Sequence, residues 1–200
     1  MNYAPTISNE EASAMEAVAF DGKIVVVNNL SALEDACKYL LKQPILGFDT
    51  ETRPSFQAGV SYKVSLLQLS TMDRCYLIRL NKVPLTRQLQ TILKNPDIKK
   101  VGVNVRDDIR NLNALRRFTA GGFIELQHEV HNYGIQEQGL RKISAIVLGK
   151  KVSKAQRLSN WEANRLTPQQ IMYAATDAWS SLKIYLKLTE GETQAQSYSV

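Results

Sequence analysis

The sequence predicts an α/β protein in which a mixed β-sheet is flanked by α-helices. Three strand-like segments, 45–48, 64–70 and 75–80, follow one another early in the chain and indicate an antiparallel meander. After them, β-branched segments alternate with segments of helical periodicity, which is typical of α/β folds. A length of 200 residues fits one domain with a substantial core.

The N-terminal part of the chain has weaker signals. We expect residues 1–20 to form an arm, either with a short helix around 10–18 or without regular structure. Segment 23–28 is rich in valine and predicts a strand. A helix is expected after it, with Ser31 as the N-cap, because Glu34 three residues later completes a capping box.

The rest of the chain alternates between the two periodicities. The predicted elements are a helix at 84–94, a strand at 100–105, a helix beginning at Asp107 or Asp108, a short strand at 123–126, and helices near 129–133, 139–148 and 168–188. The last helix has a clear start, with Thr167 as N-cap, Pro168 in the first helical position and Gln170 completing a capping box. The domain is expected to span 21–190, followed by a disordered tail at 191–200.

Composition narrows the class of protein. Twenty-five Lys and Arg against nineteen Asp and Glu give a net charge of +6, which favours a polyanionic partner. No apolar run reaches the length of a membrane span, so no membrane partner is expected. The first residues lack a signal-peptide pattern, which predicts a cytoplasmic protein. Two cysteines without CxxC spacing argue against a disulfide framework or a zinc site.

Two acidic residues follow the buried strand at 45–48. In an extended chain Asp49 and Glu51 project to the same side, while Thr50 points away. Adjacent carboxylates repel each other, and a divalent cation with oxygen ligands is the natural compensation. The alternative interpretation is a strand end with two solvated acids and no chemical role.

Further acids occur at two other places. Asp107 and Asp108 begin a predicted helix, where an aspartate can simply cap the helix and complement its dipole. Tyr173 and Asp177 lie one turn apart on one face of the last helix. Apolar residues surround this pair, so a solvated aspartate is a poor explanation, and the acid needs a partner.

Together these segments resemble the motifs of a known family. Asp49-Thr50-Glu51, the segment from Asn104 to Asp108, and Tyr173-x-x-x-Asp177 are similar to the three motifs of the DEDDy-type 3′→5′ exonucleases, the family of ribonuclease D and the Werner-syndrome exonuclease domain. The resemblance covers nearly the whole chain. It implies a ribonuclease H-like fold and removal of nucleoside monophosphates from the 3′ end of DNA or RNA.

The resemblance also implies roles for individual residues. Two divalent ions, Mg²⁺ or Mn²⁺, would be held by four carboxylates, with Asp49 bridging both, Glu51 and Asp177 completing the first site, and Asp108 anchoring the second. Tyr173 would orient the attacking water. The expected substrate contacts are Thr50, Thr52, Asn104 and Trp161, with Thr52 at the terminal 3′-hydroxyl. Glu125 stands where many relatives have aspartate.

Some alternatives remain open at this stage. A non-catalytic nucleic-acid-binding module could use the same fold, because fold alone does not determine function. Four basic residues before Trp161 are expected to contact the phosphate backbone of a strand: Lys150, Lys151, Lys154 and Arg157. The choice between DNA and RNA and the oligomeric state are not predicted.

Overall fold

The computed structural model describes residues 3–197, with side chains for 3–190. The disordered tail predicted at 191–200 is wrong for residues 191–197, which continue the last helix, and residues 198–200 lie outside the described part of the chain. Among the described residues, no helix combines the length and the hydropathy that a membrane span requires.

One six-stranded sheet forms the centre of the fold. Its strands are β1 (Lys23–Val27), β2 (Ile45–Thr52), β3 (Val64–Ser70), β4 (Arg74–Arg79), β5 (Lys99–Gly102) and β6 (Phe123–Glu125). They lie in the order β1-β4-β3-β2-β5-β6. The β2-β3-β4 meander is antiparallel, whereas β1 joins β4, and β5 joins β2 and β6, in parallel. The predicted mixed sheet is confirmed.

Helices cover both faces of the sheet. They are α1 (Asn9–Ala14), α2 (Leu30–Leu40), α3 (Arg87–Lys94), α4 (Val105–Leu115), α5 (Leu126–His131), α6 (Leu140–Leu148) and α7 (Pro168–Ser197). On one face, Leu67 and its neighbours pack against α2, α3 and α4. On the other face, Leu66 and Leu77 pack against α7. Adjacent residues of β3 thus enter opposite cores, as the period of a strand requires.

Two helix starts differ from the sequence prediction. The N-cap of α2 is Asn29, whose side chain accepts a hydrogen bond from the amide of Ala32 at 2.9 Å, so the cap predicted at Ser31 is wrong. Helix α4 begins at Val105, and β5 already ends at Gly102. Asp107 and Asp108 therefore lie within the first turn of α4, and neither is its N-cap.

The N-terminal segment lies along the domain. Helix α1 has the capping box of Ser8 and Glu11, one of the two alternatives expected for this stretch, although it ends earlier than expected. The amide of Val18 donates to the carbonyl of Lys151 at 2.9 Å, and the ring of Phe20 packs against Trp179.

Two of the basic residues expected to contact a strand also contact this N-terminal segment. Lys150 forms an ion pair with Glu16 at 3.2 Å, and the ammonium group of Lys151 donates to the carbonyl of Ser13. Lys154 and Arg157 are exposed.

Candidate active site

Strand β2 and helix α7 meet at a glycine. A Cβ atom on Gly47 would overlap the carbonyl of Ala178, so only a glycine allows α7 to approach the strand this closely. Ala178 follows Asp177 in the helix, and Gly47 lies two residues before Asp49 on the same side of the strand. The close approach therefore brings the acid of α7 to the acids of β2.

Three carboxylates converge at this crossing. Asp49, Glu51 and Asp177 each offer an oxygen, and these atoms lie within 4.8 Å of one another. Glu51 is 9% exposed and Asp177 is 8% exposed. Oδ1 of Asp177 is buried without a hydrogen-bond partner among the described residues. Buried, converging oxygens with an unsatisfied acceptor fit a divalent cation, and the cluster is consistent with a metal site.

The protonation of the cluster leads to the same conclusion. Burial, followed by the charges of Asp49, Asp177 and Asp108, raises the pKa of Glu51 to about 10. Burial raises the pKa of Asp177 to about 8, against the lowering effect of its hydrogen bond from Tyr173. Burial and the charges of Asp177 and Asp108 also hold the pKa of Asp49 well above its usual range. Without a cation these acids retain protons, which a bound ion would displace.

Asp108 reaches the cluster from the opposite side of β2. The hydroxyl of Thr50 donates to Oδ1 of Asp108 at 2.6 Å. Burial, together with the weaker effect of the charges of Asp107 and Glu125, outweighs the lowering effect of the Thr50 hydrogen bond and raises the pKa of Asp108 to about 7. Asp107 instead pairs with Arg110 at 3.1 Å, with 61% of its side chain exposed. Helix α4 therefore turns Asp108 towards the cluster and Asp107 towards solvent.

Tyr173 stands beside the three converging acids. Its hydroxyl hydrogen-bonds to Asp177, one turn later in α7. Burial, followed by the charges of Asp177, Glu51 and Asp49, raises the pKa of Tyr173 well above its ordinary value. The hydroxyl is therefore neutral near pH 7 and can donate a hydrogen bond.

The four residues expected to contact the substrate differ in their exposure and in their partners. Trp161 is completely buried, with its ring centroid 6.0 Å from that of Tyr173. It offers no surface to a strand, so Trp161 packs behind the tyrosine and does not contact the substrate as expected. The hydroxyl of Thr50 is engaged by Asp108, which makes it a positioning group. Thr52, half-buried after a bulge at the end of β2, and exposed Asn104 remain accessible.

A buried arginine that the sequence analysis did not single out supports the packing under Tyr173. Arg79 is 1% exposed, and its guanidinium group donates to the carbonyls of Trp161, Ala163 and Asn164 at 3.5, 2.5 and 3.1 Å. It therefore fixes the segment that carries Trp161. Its position within an apolar strand followed by leucine was the available signal, since buried arginines need partners.

Two exposed apolar side chains line a hollow formed with the loop that follows β2, and the sequence analysis assigned no role to them. Phe56 is 83% exposed and Leu158 is 60% exposed, and both line a hollow of about 310 Å³ together with Arg53. A second cavity, of about 440 Å³, is lined mainly by apolar side chains and reaches Tyr173 and Asp177. A phenylalanine within the polar loop after β2 was the signal for the first hollow.

Comparison with known proteins identifies the family. A family model described as 3'-5' exonuclease matches residues 24–191. The bifunctional 3'-5' exonuclease/ATP-dependent helicase WRN of Mus musculus is 34% identical over an alignment of 176 residues, which covers 84% of this chain and 12% of that protein. The chain also spans only 27% and 26% of two further curated exonuclease relatives.

Solved structures agree in fold. The EXO domain of Aedes aegypti Nibbler superimposes with a TM-score of 0.79 at 24% identity, covering 90% of this chain and 94% of that one. The Trypanosoma brucei RNase D complex with RNA U12 has a TM-score of 0.71 at 19% identity, covering 94% and 65%. The ribonuclease H-like fold expected from the sequence is confirmed. The chain belongs to the 3'-5' exonuclease family, whose members hydrolyse phosphodiester bonds.

Proposed function

We propose that this chain is a metal-dependent 3′→5′ exonuclease that releases nucleoside monophosphates from a single-stranded 3′ end of DNA or RNA. The observation that carries the proposal is the convergence of Asp49, Glu51 and Asp177 within 4.8 Å, with Asp108 close enough to raise the pKa of Asp49 and Glu51. Three converging carboxylates with a fourth nearby serve a catalytic centre better than a structural one.

The carboxylates divide into two sites for Mg²⁺ or Mn²⁺. Asp49, Glu51 and Asp177 would hold the first ion, and Asp49 together with Asp108 the second. When bound, such ions lower the pKa of water and screen charge on the phosphate and the leaving oxygen. The carboxyl oxygens are hard ligands that suit these ions, and their burial excludes competing water.

Other side chains orient the reacting groups. The neutral hydroxyl of Tyr173, supported by Asp177, holds the attacking water in line with the phosphate. Because its raised pKa keeps the tyrosine protonated near pH 7, it cannot take a proton from the water, and its contribution is orientation. Thr52 contacts the terminal 3′-hydroxyl, and Asn104 contacts the strand from the start of α4.

The strand is bound by stacking and by charge. Phe56 and Leu158 present apolar surface to the bases, and Arg53 lies with them in one hollow. Stacking on an aromatic ring such as that of Phe56 tolerates any base sequence, and Leu158 adds apolar contact. Arg53, which also pairs with Glu162 at 3.4 Å, adds positive charge near the phosphate backbone. Exposed Lys154 and Arg157 extend the basic surface. The RNA complex of the Trypanosoma brucei relative supports a nucleic-acid strand as the substrate class.

The alternative is a binding module without catalysis. Without bound cations, these acids would retain protons where they are buried and would repel a phosphate backbone where they are ionised, and neither state helps to bind a strand. Their mutual arrangement therefore favours the enzyme over the binding module.

A digestion panel tests the function. A 5′-labelled single strand of DNA and one of RNA are incubated with Mn²⁺, with Mg²⁺ and with EDTA, next to a circular single strand. We expect a ladder that shortens from the 3′ end, no cleavage in EDTA, and an intact circle. Asp49→Asn should abolish cleavage, and Asp35→Asn, at a salt-bridged surface acid of α2, should not. Cleavage in EDTA, or by Asp49→Asn at the parent rate, contradicts the proposal.

A further inference from the structure

The turn between β5 and α4 contains an unusual backbone conformation. Asn104 has φ 59° and ψ 34°, and among the described residues it is the only one other than glycine with a positive φ. A residue with a Cβ atom adopts this left-handed conformation at a cost, so the surroundings must hold it. Its own side chain does not cap the helix that begins here.

Both oxygens of one carboxylate hold this turn. Glu125, at the end of β6, accepts hydrogen bonds from the amide of Asn104 at 3.0 Å and from the amide of Val105 at 2.9 Å. It also accepts from the amide of Gln127, as the N-cap of α5. A residue twenty positions further along the chain thus supplies the cap that α4 lacks locally, and its negative charge complements the helix dipole.

The capped turn leads directly to Asp108. The carbonyl of Asn104 accepts from the amides of Asp107 at 3.1 Å and Asp108 at 3.4 Å, so the orientation of Asn104 sets the first turn of α4. Gly102 allows this turn to pack against β2, because a Cβ atom there would crowd the carbonyl of Phe48. The backbone of Asp108 is therefore fixed through Glu125, and its carboxyl group through Thr50.

We propose that Glu125 is a positioning residue for Asp108. It acts through the backbone of the turn: its carboxylate holds Asn104 and Val105, and these set where the Asp108 carboxyl group stands relative to Asp49. The proposal rests on the proposed function in one respect, namely that Asp108 binds a divalent ion. A residue that orients a ligand in this way sets the affinity of the metal site as well as the stability of the helix.

A matched control separates positioning from simple helix capping. Thr86 is the N-cap of α3 and accepts a hydrogen bond from the amide of Leu89 at 3.3 Å. Helix α3 carries none of the site residues. Thr86→Ala therefore removes a helix cap without touching the turn before Asp108, whereas Glu125→Ala removes the cap that holds this turn.

The experiment compares the parent, Glu125→Ala and Thr86→Ala in three measurements. Both variants should have a lower Tm in EDTA. Only Glu125→Ala should speed amide hydrogen exchange in 104–108 and weaken the second Mn²⁺-binding step in titration calorimetry, by ~10–100-fold, as is typical when a group that orients a ligand is lost. The Mn²⁺ concentration for half-maximal cleavage should rise in parallel.

Conservative variants complete the test. Glu125→Gln keeps the chain length and one acceptor oxygen, so its Mn²⁺ affinity should fall between those of the parent and Glu125→Ala. Glu125→Asp, with two acceptor oxygens, should recover part of the loss. The proposal is wrong if Glu125→Ala resembles Thr86→Ala in Mn²⁺ binding and in hydrogen exchange. If Glu125→Ala does not fold, the proposal is wrong if Glu125→Gln binds Mn²⁺ as the parent does. Hydrogen exchange and calorimetry test the role of Glu125 even if the parent protein cleaves no strand. They therefore distinguish failure of this proposal from failure of the proposed activity.

Discussion

Thr50 and Asp108 are joined by a hydrogen bond of 2.6 Å from the threonine hydroxyl to Oδ1 of the carboxyl group. The two residues are 58 positions apart and belong to β2 and α4. Thr50 points to the side of β2 opposite Asp49 and Glu51. One strand therefore supplies two carboxylates on one side and, on the other, the hydroxyl that orients a third.

Loss of this hydroxyl should impair the second metal site. Thr50→Val keeps the shape of the side chain but leaves Asp108 without its donor. Since this hydrogen bond lowers the pKa of Asp108, its loss should raise that pKa above about 7. We expect cleavage at pH 7 to fall by ~10–100-fold and the acid limb of the pH–rate profile to move to higher pH. Thr50→Ser should retain most activity, and equal profiles for Thr50→Val and the parent would contradict this role.

The two adjacent aspartates of α4 should behave differently. Asp108→Asn removes an inward-facing carboxylate and should lose nearly all cleavage. Asp107→Asn removes only an exposed ion pair with Arg110 and should keep most of it. Initial rates in Mn²⁺ and Tm values for both variants are the measurement. The reverse order of activities would assign the ligand to Asp107.

Tyr173→Phe should slow the chemical step and leave binding nearly unchanged. The ring remains, so its packing on Trp161 is kept, and only the hydroxyl at Asp177 is lost. A group that positions a reactant in this way typically contributes ~10²–10⁴ in rate. Single-turnover cleavage measures the rate, and a strand titration in Ca²⁺ measures binding. A large loss of binding would show instead that the hydroxyl serves the substrate.

The metal-free protein should lose stability as the pH rises. The pKa values of Glu51, Asp177 and Asp108 are raised to about 10, 8 and 7, above the ~4 of unfolded acids. At a pH between the pKa values of the unfolded and the folded state, the folded state therefore binds more protons than the unfolded state. The free energy of unfolding then falls as the pH increases.

In EDTA we accordingly expect a higher Tm at pH 5 than at pH 8. Asp177→Asn should flatten this dependence and raise the Tm at pH 8, because it removes one buried acid from the cluster. Mn²⁺ should raise the Tm most at pH 8, since binding must displace fewer protons there. A Tm in EDTA that rises between pH 5 and 8 would mean that the acids are ionised in the metal-free fold.

The sequence by itself determined the local geometry of the site. Asp49 and Glu51 share one side of a strand, and Tyr173 and Asp177 share one face of a helix, because backbone periodicity places residues two and four positions apart together. The strand at Val64–Ser70 was likewise predicted with its observed bounds, because valine and leucine dominate this short segment and a turn follows it. These features depend on neighbours in the chain and can be derived without a fold.

Only the tertiary structure decided how these pieces meet. The approach of α7 to Gly47 unites the acids, the burial of Trp161 makes it a support for Tyr173, and Glu125 caps a helix that starts twenty residues earlier. Each of these contacts depends on where distant segments of the chain cross. The sequence around each side chain would look the same whether or not such a partner lay nearby. Periodicity determines which way a side chain points, whereas packing determines what it reaches.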